Sequence, residues 1–531
     1  MKNNLKTQEN LTKYISQLES QIKSLTAKNM SLQADNELLN NKLKALLEQA
    51  AIARAKQFGS SSEKINPDQI MLFNEVEFFA EQKVEEPSEE EILPARKKKK
   101  PGFKEEKIKN LPVESTEYTL TEEEASCPQC GNELHQIGKK IRKEIVFIPA
   151  QYKILEHIQY VYGCRDCEMN DITTPIVKAR VPQALIPKSM ASASLVANII
   201  TNKYMSYLPL YRQENLLSNN GIEISRQCMA SWVIKVAEQY FQPLYDLMRL
   251  EFLKKDIIHM DETVVQVLKE KDKTPQSNSY MWLYRTGKYE KERIVLYEYQ
   301  PDRKKLRPTE FLNGFKGIAH TDGYAAYHSL KDVIISGCWA HMRRKFDEIL
   351  KVTPKNHVIG TPAYKGMNYC QKIYSIEQKI KEKTPDEKKK LRKELSEPVI
   401  REFFTWVKKS HDVPGSALSK AFTYALNQQD YLQNYLKDGR CEIDNNRAER
   451  SIKPFVMGRK NFLFCDTVNG AKASAVIFSL IETAKENGLN PEKYLVYLME
   501  KMPGLDFTKT PELLENLLPW SALPEICYTK K

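Results

Sequence analysis

Leucine recurs at every seventh position near the start of the chain: Leu11, Leu18, Leu25, Leu32, Leu39 and Leu46. With these at heptad position d, Ile15, Ile22, Asn29, Asn36 and Leu43 fall at position a. A narrow apolar stripe with polar flanks predicts a coiled coil over 1–57. Asn at position a favours two parallel strands in one register, because a buried amide is satisfied by its twin across the seam. The plainer alternative is a single amphipathic helix packed on its own core. Between 58 and 125 the period dissolves into an acidic run followed by Arg96, Lys97, Lys98, Lys99 and Lys100. This stretch predicts a flexible linker, its basic run either touching a DNA backbone or merely solvated.

Residues 126–170 show strand-like stretches at 143–148 and 158–162, separated by turn residues. Over 171–250 the period becomes helical. Apolar residues at three- and four-residue spacing predict one helix through 192–217, then a turn at Asn219, Asn220 and Gly221. Ser225 can cap a second helix over 226–233. The outline is that of a helix-turn-helix, with Arg226, Gln227 and Ser231 toward a groove, though this pattern taken alone favours a plain helical hairpin.

From 251 to 350 the pattern turns to strands, at 257–267, 279–284 and 293–299, joined by short loops. They predict an antiparallel meander. A helical connection near 303–313 leads to a fourth strand at 317–322, and a short crossover leads to a fifth at 333–338. Three strands, helix, strand, helix, strand is the order of the ribonuclease-H-like fold. The expected class is therefore multidomain α+β: an N-terminal coiled coil, a zinc-ribbon-like module, a helical helix-turn-helix-like region and a ribonuclease-H-like α/β catalytic domain.

Composition narrows the chemistry. Of 531 residues, 81 are Lys or Arg and 69 are Asp or Glu, a net charge of +12, which favours a polyanionic partner. The 41% hydrophobic content excludes a wholly disordered chain. No apolar run is long enough for a membrane span and the first residues lack a signal-like apolar core, so the expectation is a cytoplasmic, nucleoid-associated chain. Such a chain should keep its ten cysteines reduced or metal-bound. Four of them form two pairs, Cys127 with Cys130 and Cys164 with Cys167. Two such knuckles on strands predict one structural Zn²⁺ in a tetrahedral thiolate site, with His135 or His157 able to replace one ligand.

The carboxylates are the candidate catalytic groups. Asp261 lies on the first strand and Asp322 at the end of the fourth, and these strands are neighbours in the expected order. A third acid should come from a helix after the fifth strand. Residues 442–453 supply Glu449, about one turn beyond a cap at Asn445 or Asn446, with Glu442 and Asp444 as rivals off the helix. Acids gathered on one patch repel each other unless divalent cations neutralise them. Two Mg²⁺ (or Mn²⁺) ions held by Asp261, Asp322 and Glu449 would suit in-line phosphoryl displacement.

The residues also carry a resemblance. Asp261-Glu262-Thr263, Thr321-Asp322-Gly323-Tyr324, Cys338-Trp339-Ala340-His341-Met342-Arg343-Arg344-Lys345-Phe346 and Asp444-Asn445-Asn446-Arg447-Ala448-Glu449-Arg450 resemble the successive motifs of transposases of the insertion sequence 66 family. Gly458 to Phe464, Ser479 to Ala484 and the ending Leu517-Leu518-Pro519-Trp520 continue it, so it covers nearly the whole chain. The resemblance implies an Asp-Asp-Glu transposase with the triad Asp261, Asp322 and Glu449. It implies a helical insertion at 351–440, the return of the catalytic core with the Glu helix at 441–485, and a C-terminal element at 486–531. It gives Cys338 and His341 as the family's Cys-x-x-His element; two ligands do not make a metal site, so positioning or packing is the expected role. The expected partners are double-stranded DNA (element ends and target), further copies through the coiled coil as a dimer or higher oligomer, and small accessory proteins. Arg226 and Gln227 would read base edges, while Arg343, Arg344, Lys345, Arg447, Arg450, Arg459 and Lys460 would hold phosphates near the chemistry. The competing functions are another ribonuclease-H-fold nuclease, such as a junction resolvase, and a domesticated DNA-binding regulator without catalysis.

Overall fold

The computed structural model describes residues 2–58, 151–162, 177–410, 412–507 and 509–529. The chain divides into two units, one of residues 83–183 with 530–531, the other of 1–82 with 184–529. In the larger unit α1 spans Lys2–Phe58 as one helix, as the heptads predict. Its leucine stripe faces solvent: Leu18, Leu25, Leu32, Leu39 and Leu46 are all exposed. Near its C-terminal end Ala45 is buried, Gln49 Nε2 donates to Gly415 O at 2.7 Å, and Ala417 N donates to Glu48 Oε2 at 3.3 Å.

The smaller unit shows β1 (Val161–Tyr162) paired antiparallel with β2 (Val177–Lys178). Cys127, Cys130, Cys164 and Cys167, and the basic run at 96–100, lie outside the described residues.

Helices open the rest of the larger unit: α2 (Ala193–Tyr204), α3 (Leu210–Asn219) and α4 (Arg226–Val236). The single helix expected through 192–217 is broken in two. Pro209 has no N–H to continue the ladder and disfavours helical geometry in the residue before it, and Tyr207 turns at φ 55°. Pro209 instead stands at the N-cap of α3. Ser225 caps α4 as expected, its side chain accepting from Cys228 N. A π turn over Ala237–Phe241 passes into α5 (Gln242–Leu253).

The central sheet follows: β3 (Ile257–Lys269), β4 (Asn278–Thr286), β5 (Val295–Gln300), then α6 (Leu306–Phe311), β6 (Gly317–Thr321) and β7 (Val333–Gly337). The spatial order is β5-β4-β3-β6-β7. β3, β4 and β5 pair antiparallel, and β6 and β7 add in parallel to β3. This is the meander-plus-two-parallel-strands order that the sequence predicts. Parallel pairing sets His259 of β3 opposite His320 of β6, so the residues two further on, Asp261 within β3 and Asp322 just past β6, fall at the same level of adjacent strands.

After β7 the chain is helical, with α7 (Trp339–Val352), α8 (Pro362–Lys379), α9 (Pro385–Leu391), α10 (Glu397–Lys409), α11 (Ala417–Asn427) and α12 (Gln429–Gln433). These helices build a core of their own around Trp339, Phe346, Phe403 and Phe404. Trp339 is fully buried and its Nε1 donates to Leu432 O at 2.9 Å. Burial of each such side chain contributes about 2–3 kcal/mol. The chain then returns to the sheet through α13 (Asn446–Phe462), β8 (Cys465–Thr467), which pairs with the far end of β3, and α14 (Val468–Glu486). α15 (Pro491–Lys501) and α16 (Glu512–Glu515) complete it. The sheet, α2 to α5, α14 and α15 share one hydrophobic core. Among the described residues, no helix is long and apolar enough to cross a membrane.

Candidate active site

Three elements deliver the acids. Asp261 is in β3, Asp322 directly follows β6, and Glu449 sits in the first turn of α13. Asp322 Oδ1 accepts from Tyr324 N at 2.9 Å, and the chain turns between them at Gly323. A Cβ there would lie 2.8 Å from the Tyr424 ring, so any larger residue would have to displace that ring from the turn. Asp261 Oδ1 accepts from Glu262 N at 2.9 Å.

The electrostatics tie the three together. Burial pushes the Asp261 carboxyl well above the usual range, and the charges of Glu262, Glu449 and Asp322 push it further. Burial raises Asp322 against the pull of Tyr324 N–H, Arg303 and His328. Burial also lifts Glu449 to about 6, with Arg344 opposing and Asp444 and Asp322 adding to the rise. Glu449 is 3% exposed, and neither of its carboxylate oxygens has a hydrogen-bond partner. Its basic neighbours stand off, with the His341 imidazole Nδ1 at 3.8 Å and the Arg344 guanidinium Nη2 at 3.9 Å.

The rival acids are already engaged. Glu442 accepts from Arg447 Nε at 2.5 Å and Nη2 at 3.1 Å, and lies 3.1 Å from His259 Nε2. Burial would raise it, but His259 and Arg447 together hold it far below the usual range. Asp444 accepts from Asn446 N at 3.1 Å, Asn446 Nδ2 at 2.9 Å and Tyr374 OH at 3.2 Å. Asn445 is the N-cap residue, but its side chain makes no capping bond. Its amide is spent elsewhere: Nδ2 donates to Met260 O at 2.7 Å, and Oδ1 accepts from His259 Nδ1 at 3.0 Å. That pair of bonds fastens the start of the Glu449 helix to the strand carrying Asp261.

The sequence reading did not single out five participants. Glu262 is almost wholly buried, paired with Arg303 and accepting from Tyr327 OH. Arg303 also lies over the Tyr324 ring, 3.6 Å from its centroid. His259 stacks on His320 at 4.4 Å beneath the acids. The signal for this pair was present: His259-Met260-Asp261 and His320-Thr321-Asp322 repeat a His two residues before each acid.

The expected DNA-binding residues are scattered over the larger unit. Arg226 and Gln227 are exposed at the start of α4, whose opposite face buries Met229, Trp232 and Val233. Arg450 and Lys460 are exposed on α13, and Arg343 and Arg344 are half-buried on α7. Arg459 turns inward, donating to Val264 O and Thr263 Oγ1 of β3, which leaves less of it for a phosphate. Cys338 is buried at the N-cap of α7, where Asn445 N donates to its Sγ at 3.2 Å. Burial first, then Asp444 and Glu449, raises its thiol well above the usual range. Burial, with Arg344 and Lys345, lowers His341 to about 4.

Comparison with known proteins gives the class. Residues 188–473 match the model described as "Transposase IS66 family", and residues 479–520 match the IS66 C-terminal element. Residues 124–168, which include all four paired cysteines, match the zinc-finger binding domain of transposase IS66. Residues 45–115 match a model described as "Transposase C of IS166 homeodomain". The protein is a DNA transposase. Two relatives are uncharacterised proteins of Sinorhizobium fredii. y4jD is 30% identical over 75% of this chain and 78% of its own length, and y4qI is 28% identical over 76% and 75%. The chain belongs to the IS66 transposase family. The Drosophila P element transposase strand transfer complex aligns at 10% identity and a TM-score of 0.31, over 55% of this chain and 92% of that one, a likeness too slight to carry weight.

Proposed function

We propose that this transposase cleaves DNA at the ends of its own mobile element and joins the freed 3′-hydroxyls to target DNA. The reacting centre is Asp261, Asp322 and Glu449 on a ribonuclease-H-like sheet. One observation carries the assignment: these acids come from three elements with raised carboxyls, Asp261 pushed up by Glu449 and Asp322 as well as by burial, and Glu449 keeps both oxygens unbonded while Glu442 and Asp444 are engaged. A buried, self-repelling acid set of this kind suits divalent cations. Bound there, Mg²⁺ or Mn²⁺ supplies charge neutralisation and activation of a water or a 3′-hydroxyl for in-line displacement.

The chain's own residues do the rest. Asn445 and His259 hold the Glu449 helix against β3, which fixes the spacing of the acids. Arg303 and Tyr327 restrain Glu262, so that it does not swing toward the acids. Arg343, Arg344, Arg450 and Lys460 lie on the two helices nearest the acids and would hold phosphates, while Arg226 and Gln227 would read the element ends. We assign one structural Zn²⁺ to Cys127, Cys130, Cys164 and Cys167, which the zinc-finger match supports. The exposed leucine stripe of α1 would be covered by a second copy in a parallel coiled coil.

The test is a cleavage assay. Full-length protein with Mg²⁺ and duplex carrying the element's ends should release 3′-hydroxyls at those ends. Asp261→Asn should bind the same DNA and leave it intact. Cleavage by that variant within about tenfold of wild type would remove Asp261 from the reacting centre.

A further inference from the structure

Cys338 and His341 are separated by one helical turn at the start of α7, so they project to the same side of the helix. Read in sequence they are two ligands without a third. The fold supplies the third from over a hundred residues away. Cys338 Sγ, a ring nitrogen of His341 and a carboxylate oxygen of Glu449 all lie within 4.8 Å of one another.

The surroundings point to a cation rather than to packing. His341 Nδ1 and both Glu449 oxygens are buried without a hydrogen-bond partner. His341 Nδ1 and Glu449 Oε1 face each other at 3.8 Å, too far for a hydrogen bond and close to the ligand spacing of a small ion. Bonds of about 2.0–2.3 Å place tetrahedral ligands roughly 3.3–3.8 Å apart, so closing the set around an ion takes movements of about 1 Å. Cys338 presents its sulfur at a helix N-terminus, where it accepts a backbone N–H from Asn445, and the charge of a bound cation would draw the proton from this buried thiol. A thiolate, an imidazole and a carboxylate select a borderline-soft ion of the zinc class over Mg²⁺, which prefers oxygen alone.

We propose that Cys338, His341 and Glu449 form a binding site for one zinc-class divalent cation, with a coordination position left open. It is a site separate from the four-cysteine module. It rests on the reading above only for the place of Glu449 at the reacting centre, where the carboxylate would be shared between this ion and the Asp261–Asp322 side. Occupancy would tie the start of α7 to the start of α13.

Cobalt tests this without any activity measurement. Full-length protein is first loaded with zinc at its cysteine module, freed of loosely held metal, and titrated with Co²⁺. The expected result is a sulfur-to-cobalt charge-transfer band in the near ultraviolet, saturating at one Co²⁺ per chain. Cys338→Ser should lose the band. His341→Ala, at a side chain already partly exposed, should keep the fold and the band but weaken Co²⁺ binding at least about tenfold. Absence of the band in the zinc-loaded wild type, a band that survives Cys338→Ser, or unchanged Co²⁺ affinity in His341→Ala would each overturn the proposal. If the band is absent while Mg²⁺-dependent cleavage still requires Asp261, only this inference fails. If the band appears while Asp261→Asn still cleaves, the triad fails and the cation site stands.

Discussion

Two levels of the same pair of strands are built on opposite principles. At the lower level His259 of β3 and His320 of β6 stack, and Glu442 is hydrogen-bonded by Arg447 and met by His259. Every acid there has its counter-charge. Two residues further along the same strands stand Asp261 and Asp322, and burial raises both carboxyls and that of Glu449; the charges of Asp322 and Glu449 push Asp261 up further, and Asp322 adds to the rise of Glu449. Arg303 is committed to Glu262, and Arg344 stands 3.9 Å from Glu449. The lower level is thus paired within the chain, while at the upper level burial outweighs the pull of Arg303 and His328 on Asp322 and of Arg344 on Glu449 and leaves both carboxyls raised. Acids kept in a destabilising arrangement are the structural mark of a site shaped for something other than stability.

The largest effect that separates the two levels is expected from Asp322→Asn. Cleavage of element-end DNA should fall by more than about a hundredfold, because a metal-holding charge is lost without a change of shape. In metal-free buffer the same variant should melt higher than wild type by about 1 kcal/mol of stability, since one repelling carboxylate is gone. Thermal melts with and without Mg²⁺ check both halves. A variant that is inactive and also less stable would mean that Asp322 belongs to the structural level.

The levels differed also in how far the sequence disclosed them. The strands and their order were legible, because runs such as Ile257-Ile258 and Val333-Ile334-Ile335 are short, β-branched and bounded by turns. Asp261 and Asp322 could be placed from that order alone. The choice of Glu449 over Glu442 and Asp444 needed the cap, and the cap works differently from expectation: Asn445 serves His259 and Met260 rather than its own helix. The pairing of the structural level went unread: the repeated His two residues before each acid marks 259 and 320, but no local period links them to Glu442 and Arg447, whose pairing only the fold brings about. Cys338 and His341 were visible as a pair, but their third partner was brought by the fold. The break at 205–209 was legible in Pro209, yet the helical apolar period runs through it and masked the signal.

Glu442→Gln should produce the next largest effect, in the opposite direction from Asp322→Asn. It leaves Arg447 half-buried and His259 fully buried without their anionic partner, and breaking such a pair from one side costs about 2–3 kcal/mol at this degree of exposure. The pH dependence should move with it. The folded carboxyl of Glu442 lies below its unfolded value, so its contribution is present above pH ~4.5 and is lost as the pH falls. Wild type minus Glu442→Gln, measured by denaturant titration, should therefore shrink from pH 7 toward pH 3. A difference that is flat over that range would show that the Arg447 pairing contributes little.

The smallest effect is the mirror image at the upper level. Burial raises the Glu449 carboxyl to about 6, above its ordinary unfolded value near 4.5. An acid raised in the folded state contributes stability that is present below pH ~4.5 and lost as the pH rises through about 6, because the folded chain binds the extra proton in that window. In metal-free buffer, wild type should lose up to about 2 kcal/mol relative to Glu449→Gln between pH 4.5 and 7. Adding Mg²⁺ at pH 7 should restore wild type and leave Glu449→Gln nearly unmoved, since an ion that binds only the folded state stabilises it by mass action. The same titration on Glu442→Gln separates the levels: Mg²⁺ should still raise its melting temperature, because the upper acids are intact. If Mg²⁺ stabilises Glu449→Gln as strongly as wild type, Glu449 is not among the ligands, and the unbonded oxygens of this residue serve the Cys338–His341 side alone.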